Sequence, residues 1–283
     1  MVTNAAQQDD PADESLTRAI LSFAASKTGL DLASYRRSTV ERRLRNRMLS
    51  AGVSRLADYY ALVRSSDEEP ARLIERITIK VSRFYRNGRT FDRLRNDVVP
   101  ALATRRGGAP LRVWSAGCGY GEEAYTLAML LDAAGVAGTV TATDVDPFAL
   151  AAAAVGRYAA DALVELPPPL AARYVEAPAD GAGGRRPFGV LPSVARRVVF
   201  GRHDLMADPV EIASYDLVLC RNVLIYLRRE VQAAALRRLR AALADGGVLC
   251  LGEAEWPAPS VAAALETIDA RARLFRAVRA AER

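Results

Sequence analysis

Between residues 111 and 278, short apolar runs alternate with stretches of helical periodicity, and this alternation restricts the fold more than any other feature of the chain. The runs fall at 111–115, 139–143, 197–200, 215–220 and 247–251. Strands separated by helices read as a parallel sheet, because parallel neighbours need a crossover connection and the crossover helices then cover both faces. Two further runs, 266–268 and 274–278, are separated by only a short link and so suggest a closing hairpin at one edge of the sheet. The expected class is α/β, with a nucleotide-binding, Rossmann-like sheet.

Upstream, from about 15 to 96, no strand pattern interrupts a helical one. Leu16, Ile20 and Phe23 begin one apolar face; Val40, Leu44, Met48 and Leu49 make another. Leu56, Tyr59, Tyr60 and Val63 follow, then Leu73, Ile74 and Ile77, all at helical spacing. A further short helix is expected from Thr90 towards Val99. Residues 1–14 are polar and acidic and read as a disordered tail without a secretory signal. The expected domains are therefore a helical one over 15–96 and a sheet domain over 97–283. After a crossover helix at about 147–158, the chain to residue 196 is too long for a plain loop. Arg173-Tyr174-Val175 and the run 188–191 can pair as short strands, so a small antiparallel β insert is expected at about 163–196.

The first sheet run leads into Trp114-Ser115-Ala116-Gly117-Cys118-Gly119-Tyr120-Gly121-Glu122-Glu123. Glycines at alternate positions let the backbone turn sharply and approach a ligand closely. A dinucleotide fold also shows such a turn, but it places a pyrophosphate at the following helix N-terminus. Two glutamates there oppose that anion and suit a cofactor bearing an ammonium and a sulfonium group. Asp144, ending the second run, stands where a nucleotide fold puts the acid that accepts ribose hydroxyls. Asp146, before Pro147, reads as a helix cap. His203-Asp204-Leu205 follows the third run, positioned to meet an adenine. The segment Tyr215-Asp216-Leu217-Val218-Leu219-Cys220-Arg221-Asn222-Val223-Leu224-Ile225-Tyr226 passes from a buried strand to polar residues at the switch point of such a sheet. With one histidine in the chain, chemistry that depends on several imidazoles is excluded, and three cysteines without metal-like spacing read as buried thiols.

Three of these blocks resemble the signature blocks of the chemoreceptor glutamate methyltransferases, the CheR family: the stretch from Trp114 to Tyr125, Ala142-Thr143-Asp144-Val145-Asp146, and Cys220 to Tyr226. Val81-Ser82-Arg83-Phe84-Tyr85-Arg86 is similar to that family's Thr-x-Phe-Phe-Arg block. The likeness runs from about Ser15 to Val278 and implies a class I methyltransferase sheet with a helical N-terminal domain and a β insert. It implies S-adenosylmethionine as cofactor, held by Lys80, Ser82, Arg86, Glu123, Asp144, Asp204, Leu205, Arg221 and Asn222, with catalytic roles for Arg86 and Tyr226. The chain departs from the family at Lys80 (usually Asn), Ser82 (Thr), Tyr85 (Phe), Asp204 (Asn) and Ala124 (Pro).

The implied substrate is a glutamate side chain in the cytoplasmic domain of a chemotaxis receptor. A carboxylate with a pKa of about 4.3 is ionised at neutral pH and needs no general base to attack a sulfonium methyl. The formal charge of +6 fits an acidic partner. Arg36, Arg43 and Arg47, spaced by seven and four along one helix, are the expected docking stripe for a glutamate-bearing receptor helix. A nucleic-acid methyltransferase is the alternative, but the Asn222-to-Tyr226 segment lacks the proline-rich turn that amino-group methylation of bases favours. The remaining expectations are a cytoplasmic location, no nucleic acid, no membrane insertion, no metal and a monomer.

Overall fold

The computed structural model describes residues 11–30, 32–78, 82–177 and 187–278. The chain divides into two compact units, Met1–Ile79 and Lys80–Arg283. Residues 82–96, read from sequence as the end of the helical domain, thus belong with the sheet. Their apolar side chains explain the difference: Phe84, Phe91 and Leu94 are fully buried in the core cluster around the sheet.

The first unit contains four helices among its described residues: α1 (Pro11–Thr28), α2 (Arg37–Ser50), α3 (Leu56–Ser65) and α4 (Glu69–Ile77). Residues 11–14, assigned from sequence to the tail, form the first turn of α1, where Asp13 and Glu14 suit the positive end of the helix dipole; residues 1–10 lie outside the described residues. Helix α4 packs on the other three. Its apolar side chains Leu73, Ile74 and Ile77 are buried, with Ile20, Val40, Leu44, Met48, Tyr59 and Val63 from the other helices. Leu49, expected in the apolar row of α2, is 73% exposed. It lies one position on from Met48, and a step of about 100° along a helix carries it off the buried stripe.

In the second unit, α5 (Gly88–Arg93) runs through a π-helical turn, Leu94–Val98, into α6 (Val99–Arg105). The main sheet then builds from β1 (Leu111–Ala116) and, beyond α7 (Glu122–Ala133), β2 (Gly138–Asp144). Helix α8 (Pro147–Val155) ends at Gly156, whose φ of 64° is the left-handed conformation that stops a helix. The helix is therefore three residues shorter than expected. Instead Arg157–Tyr158 form β3, which joins the insert: α9 (Pro168–Tyr174) precedes β4 (Val175–Glu176), and β5 (Phe188–Val190) lies antiparallel between β3 and β4. Arg173 and Tyr174, expected in a strand, close α9, and only Val175 of that trio pairs.

After α10 (Pro192–Ala195) come β6 (Val198–Arg202) and β7 (Tyr215–Cys220). They are followed by α11 (Arg229–Ala242), β8 (Leu243–Leu251), α12 (Pro259–Ala262), β9 (Leu265–Asp269) and β10 (Leu274–Ala277). The sheet order is β6-β2-β1-β7-β8-β10-β9. Strands β6, β2, β1, β7 and β8 are parallel, and β10 is antiparallel to both its neighbours. The closing hairpin is thus β9–β10. The order reverses between β1 and β7, so the loops leaving their C-terminal ends diverge and leave a crevice. Among the described residues no helix is long and apolar enough to cross a membrane.

Candidate active site

Four loops meet at the C-terminal ends of β1, β2, β7 and β8. The first is the glycine turn after β1. Gly117, Gly119 and Gly121 all have positive φ, at 77°, 56° and 92°. At Gly117 a Cβ would lie 2.4 Å from Cγ2 of Val223, so glycine is required both by the backbone and by the neighbouring turn. Asp144 closes the second side. Its Oδ2 accepts from the Gly119 amide at 2.9 Å and its Oδ1 from the Asp146 amide at 3.0 Å, which fixes the glycine turn against the end of β2. A carboxylate has about four lone-pair sites, so these two bonds alone do not exhaust its acceptors. Asp146 caps α8 as expected, accepting from the Phe148 and Ala149 amides.

Glu123 and Arg221 join the two halves of the crevice. Glu123 Oε1 accepts from Ser115 Oγ at 2.8 Å and Oε2 from Arg221 Nη1 at 3.2 Å. Arg221, 7% exposed, also donates to the Arg86 carbonyl at 2.9 Å and to Asn87 Oδ1 at 2.7 Å, and stacks over the Phe91 ring. A guanidinium held by three residues acts as a fixed hub, with its buried Nε left without a partner among the described residues. Asn87 itself has a φ of 66°, and its amide donates to Glu165 at 3.0 Å. Sequence reasoning missed Asn87; its only signal was the Asn-Gly pair, which favours a left-handed turn.

Glu122 behaves differently from its neighbour. It is 5% exposed, its Oε2 has no partner among the described residues, and burial together with the nearby Glu123 charge pushes its carboxyl above the usual range despite a hydrogen bond with Ser82. Burial thus opposes the charged form of Glu122, and the electrostatic case against a pyrophosphate rests chiefly on Glu123 and Asp144. A cavity of about 430 Å³ opens beside it, lined by Ser82, Tyr120, Glu122, Arg157 and Tyr158 among others.

Beyond β6, Asp204 spends Oδ1 on the Met206 and Ala207 amides, at 2.8 and 3.4 Å, so its carboxylate shapes the turn carrying Leu205. His203 lies edge-on to Trp114, and burial lowers its pKa. After β7, Asn222 adopts a φ of 61°, and Tyr226, half-buried, ends the short 3-10 turn Leu224–Tyr226. Arg86 is also half-buried, its backbone tied to Arg221. Lys80 lies outside the described residues. The fourth loop, after β8, carries a buried carboxylate, Glu255, whose role sequence reading did not detect.

The expected docking arginines are not brought together as an exposed stripe. Arg36 is exposed, but Arg43 is 5% exposed and donates to the Ile77 carbonyl, closing the end of α4. Arg47 grips Glu69 through Nε and Nη2, at 2.8 and 2.6 Å, and Tyr59 donates to the same carboxylate at 2.7 Å. Both arginines point along the seam where α2 meets α4. Arg36, Arg37, Arg42 and Arg45 are the exposed basic residues of this segment.

Acceptors at Asp144 and Glu123, around a turn that tolerates no side chain at Gly117, suit a ligand presenting hydroxyls and an ammonium group. On the seven-stranded sheet with its antiparallel closing hairpin, they define a class I S-adenosylmethionine-dependent methyltransferase. Residues 80–272 match the CheR methyltransferase, SAM binding domain, and residues 17–78 match the CheR methyltransferase, all-alpha domain. The chain belongs to the CheR methyltransferase family. It is 34% identical over 231 residues to a chemotaxis protein methyltransferase of Listeria monocytogenes, covering 80% of this chain and 84% of that one. Chemotaxis protein methyltransferase 1 of Pseudomonas aeruginosa is 31% identical, over 82% of this chain and 87% of its own. An uncharacterized 104.1 kDa protein of Rhodobacter capsulatus is 38% identical over 92% of this chain, which spans only 27% of that longer protein.

Proposed function

We propose that the protein transfers a methyl group to glutamate side chains in the cytoplasmic domains of chemotaxis receptors, forming methyl esters, and that it does so in the cytoplasm as a monomer without nucleic acid. The observation that carries this reading is the presence, in one chain, of both CheR modules, together with 34% identity over 80% of this chain to a relative named as a chemotaxis protein methyltransferase.

When bound, S-adenosylmethionine supplies an electrophilic methyl group on a positively charged sulfur. The residues of the chain then have three tasks: to hold the cofactor, to orient a carboxylate, and to exclude water from it. Asp144 and Glu123 take the first as acceptors, supported by Ser82, Asp204, Leu205, Arg221 and Asn222 around the same loops. Arg86 orients the incoming carboxylate. Arg221, held through Nη1 and Nη2 by Glu123, Asn87 and the Arg86 carbonyl, ties the site together, and the substrate carboxylate falls to Arg86. That division keeps the nucleophile from being blunted by a second clamping guanidinium. Tyr226 borders the methyl group. On the helical unit, docking falls to the exposed arginines of the same segment, Arg42 and Arg45 foremost, because Arg43 is buried, Arg47 is bound to Glu69 and Arg37 is bound to Glu14 and Glu41.

The test is transfer of labelled methyl to a panel of receptor cytoplasmic fragments, followed by mild base. Base-labile label on receptor supports a glutamyl ester. Base-stable label, or label on nucleic acid offered in parallel, overturns the reading.

A further inference from the structure

Glu255 sits four residues beyond the end of β8, 4% exposed, and its carboxylate accepts hydrogen bonds from backbone amides. Oε2 accepts from Gly252 N at 2.7 Å and Asn222 N at 3.0 Å, and Oε1 accepts from Ile225 N at 3.3 Å. Two of these amides belong to the turn that carries Arg221, Asn222 and Tyr226. Within that turn Asn222 stands in the left-handed region at a φ of 61°, a conformation asparagine adopts more readily than other residues with a side chain. The support is closely fitted: a Cβ at Gly252 would lie 2.7 Å from Glu255 Oε2 and 2.8 Å from Asn222 N. A side chain at position 252 would thus drive the carboxylate and the turn apart.

The two oxygens hold different ends of the turn. Oε2 fixes Asn222, next to Arg221, which reaches across to Glu123 on the cofactor side. Oε1 fixes Ile225, next to Tyr226. We infer that Glu255 is a positioning residue for methyl transfer whose two carboxylate oxygens separately set the cofactor-holding end and the Tyr226 end of the catalytic turn. The inference rests on the reading that Tyr226 borders the reacting methyl, and the experiment separates the two.

Glu255→Gln keeps the shape but replaces one oxygen by an NH2 group. The orientation that loses least keeps the carbonyl at the Oε2 position, with its two bonds, and turns a donor towards the Ile225 amide. Hydrogen exchange in the free protein is then expected to show Ile225 protection falling by about tenfold, the worth of one hydrogen bond, with Asn222 protection unchanged. In methyl transfer, kcat should fall by about tenfold while S-adenosylhomocysteine affinity stays within about twofold, because only the Tyr226 end is released. Glu255→Ala, which removes both acceptor oxygens, should weaken cofactor affinity as well. A general loss of packing would instead lower both quantities together in Glu255→Gln. Such a parallel loss, or unchanged Ile225 protection, overturns the inference. Tyr226→Phe is run beside it. If that variant turns over normally while Ile225 exchange still responds to Glu255→Gln, the role of Tyr226 fails and the support by Glu255 stands.

Discussion

Replacing Arg47 tests whether the basic residues of α2 are surface charges or internal ones. Glu69 is 3% exposed, and its carboxylate is held by two bonds from Arg47 and one from Tyr59. Arg47→Met removes the charge and both prongs while keeping a comparable apolar stem, so Glu69 is left buried with the tyrosine alone. Removing one partner of a buried pair costs about 3–5 kcal/mol, against about 0–1 kcal/mol for an exposed pair. A unit of this size is stable by only about 5–10 kcal/mol, so the loss would be a large share of the whole. Amide exchange in α2 and α4 of the intact protein is the assay, and protection there should fall by roughly two to four powers of ten, since about 1.4 kcal/mol is tenfold. The partner can then be removed too. The triple variant Arg47→Met, Glu69→Leu, Tyr59→Phe leaves no orphaned polar group and should recover most of the loss. A loss below about 1 kcal/mol in Arg47→Met, or no recovery in the triple variant, would refute the reasoning.

Asp144→Ala and Glu123→Ala should each weaken S-adenosylhomocysteine binding by about 1.5–3 kcal/mol in calorimetry; wild-type affinity in both would remove them from the site. Reversing Arg42 and Arg45 to Glu should raise KM for a receptor fragment with cofactor affinity unchanged, and receptor binding should weaken with salt as charges are screened over about 8–10 Å. Glu69 and Glu122 should respond oppositely to pH. Burial raises the Glu69 carboxyl, but Arg47 and Tyr59 outweigh it and hold the net value below 4.5, so its contribution is complete above that value and lost as pH falls through the folded pKa. Glu122 is held above 4.5, so it favours the folded state at acid pH and costs stability as pH rises through its folded pKa. Glu122→Gln should therefore raise unfolding free energy near neutral pH and lose that advantage below the ordinary glutamate value, as urea titrations at the two pH values would show.

Much of the sheet was legible in the chain because local physics decides it. Residues 215–220 were placed to the residue and the other strands to within a few, since buried parallel strands must be short apolar runs between breakers. The glycine turn and the Asp146 cap were readable for the same reason: a positive φ and an Asp-Pro helix start are local demands. The tertiary structure decided which charged groups of α2, α7 and the loop after β8 are buried, and against what. Nothing in the spacing of Arg36, Arg43 and Arg47 shows that Ile77 and Glu69, 34 and 22 residues away from the latter two, will take them inside the fold. Glu122 and Glu123 are adjacent, yet helical geometry buries one beside Ser82 and Tyr158 and turns the other towards Ser115 and Arg221. Glu255 reads as one acid among several until β8 and β7 lie side by side and bring it beneath the Asn222 turn. Apolar periodicity is a property of neighbouring residues and can be read along the chain. The partner of a buried charge is chosen by packing, and only the assembled fold contains that choice.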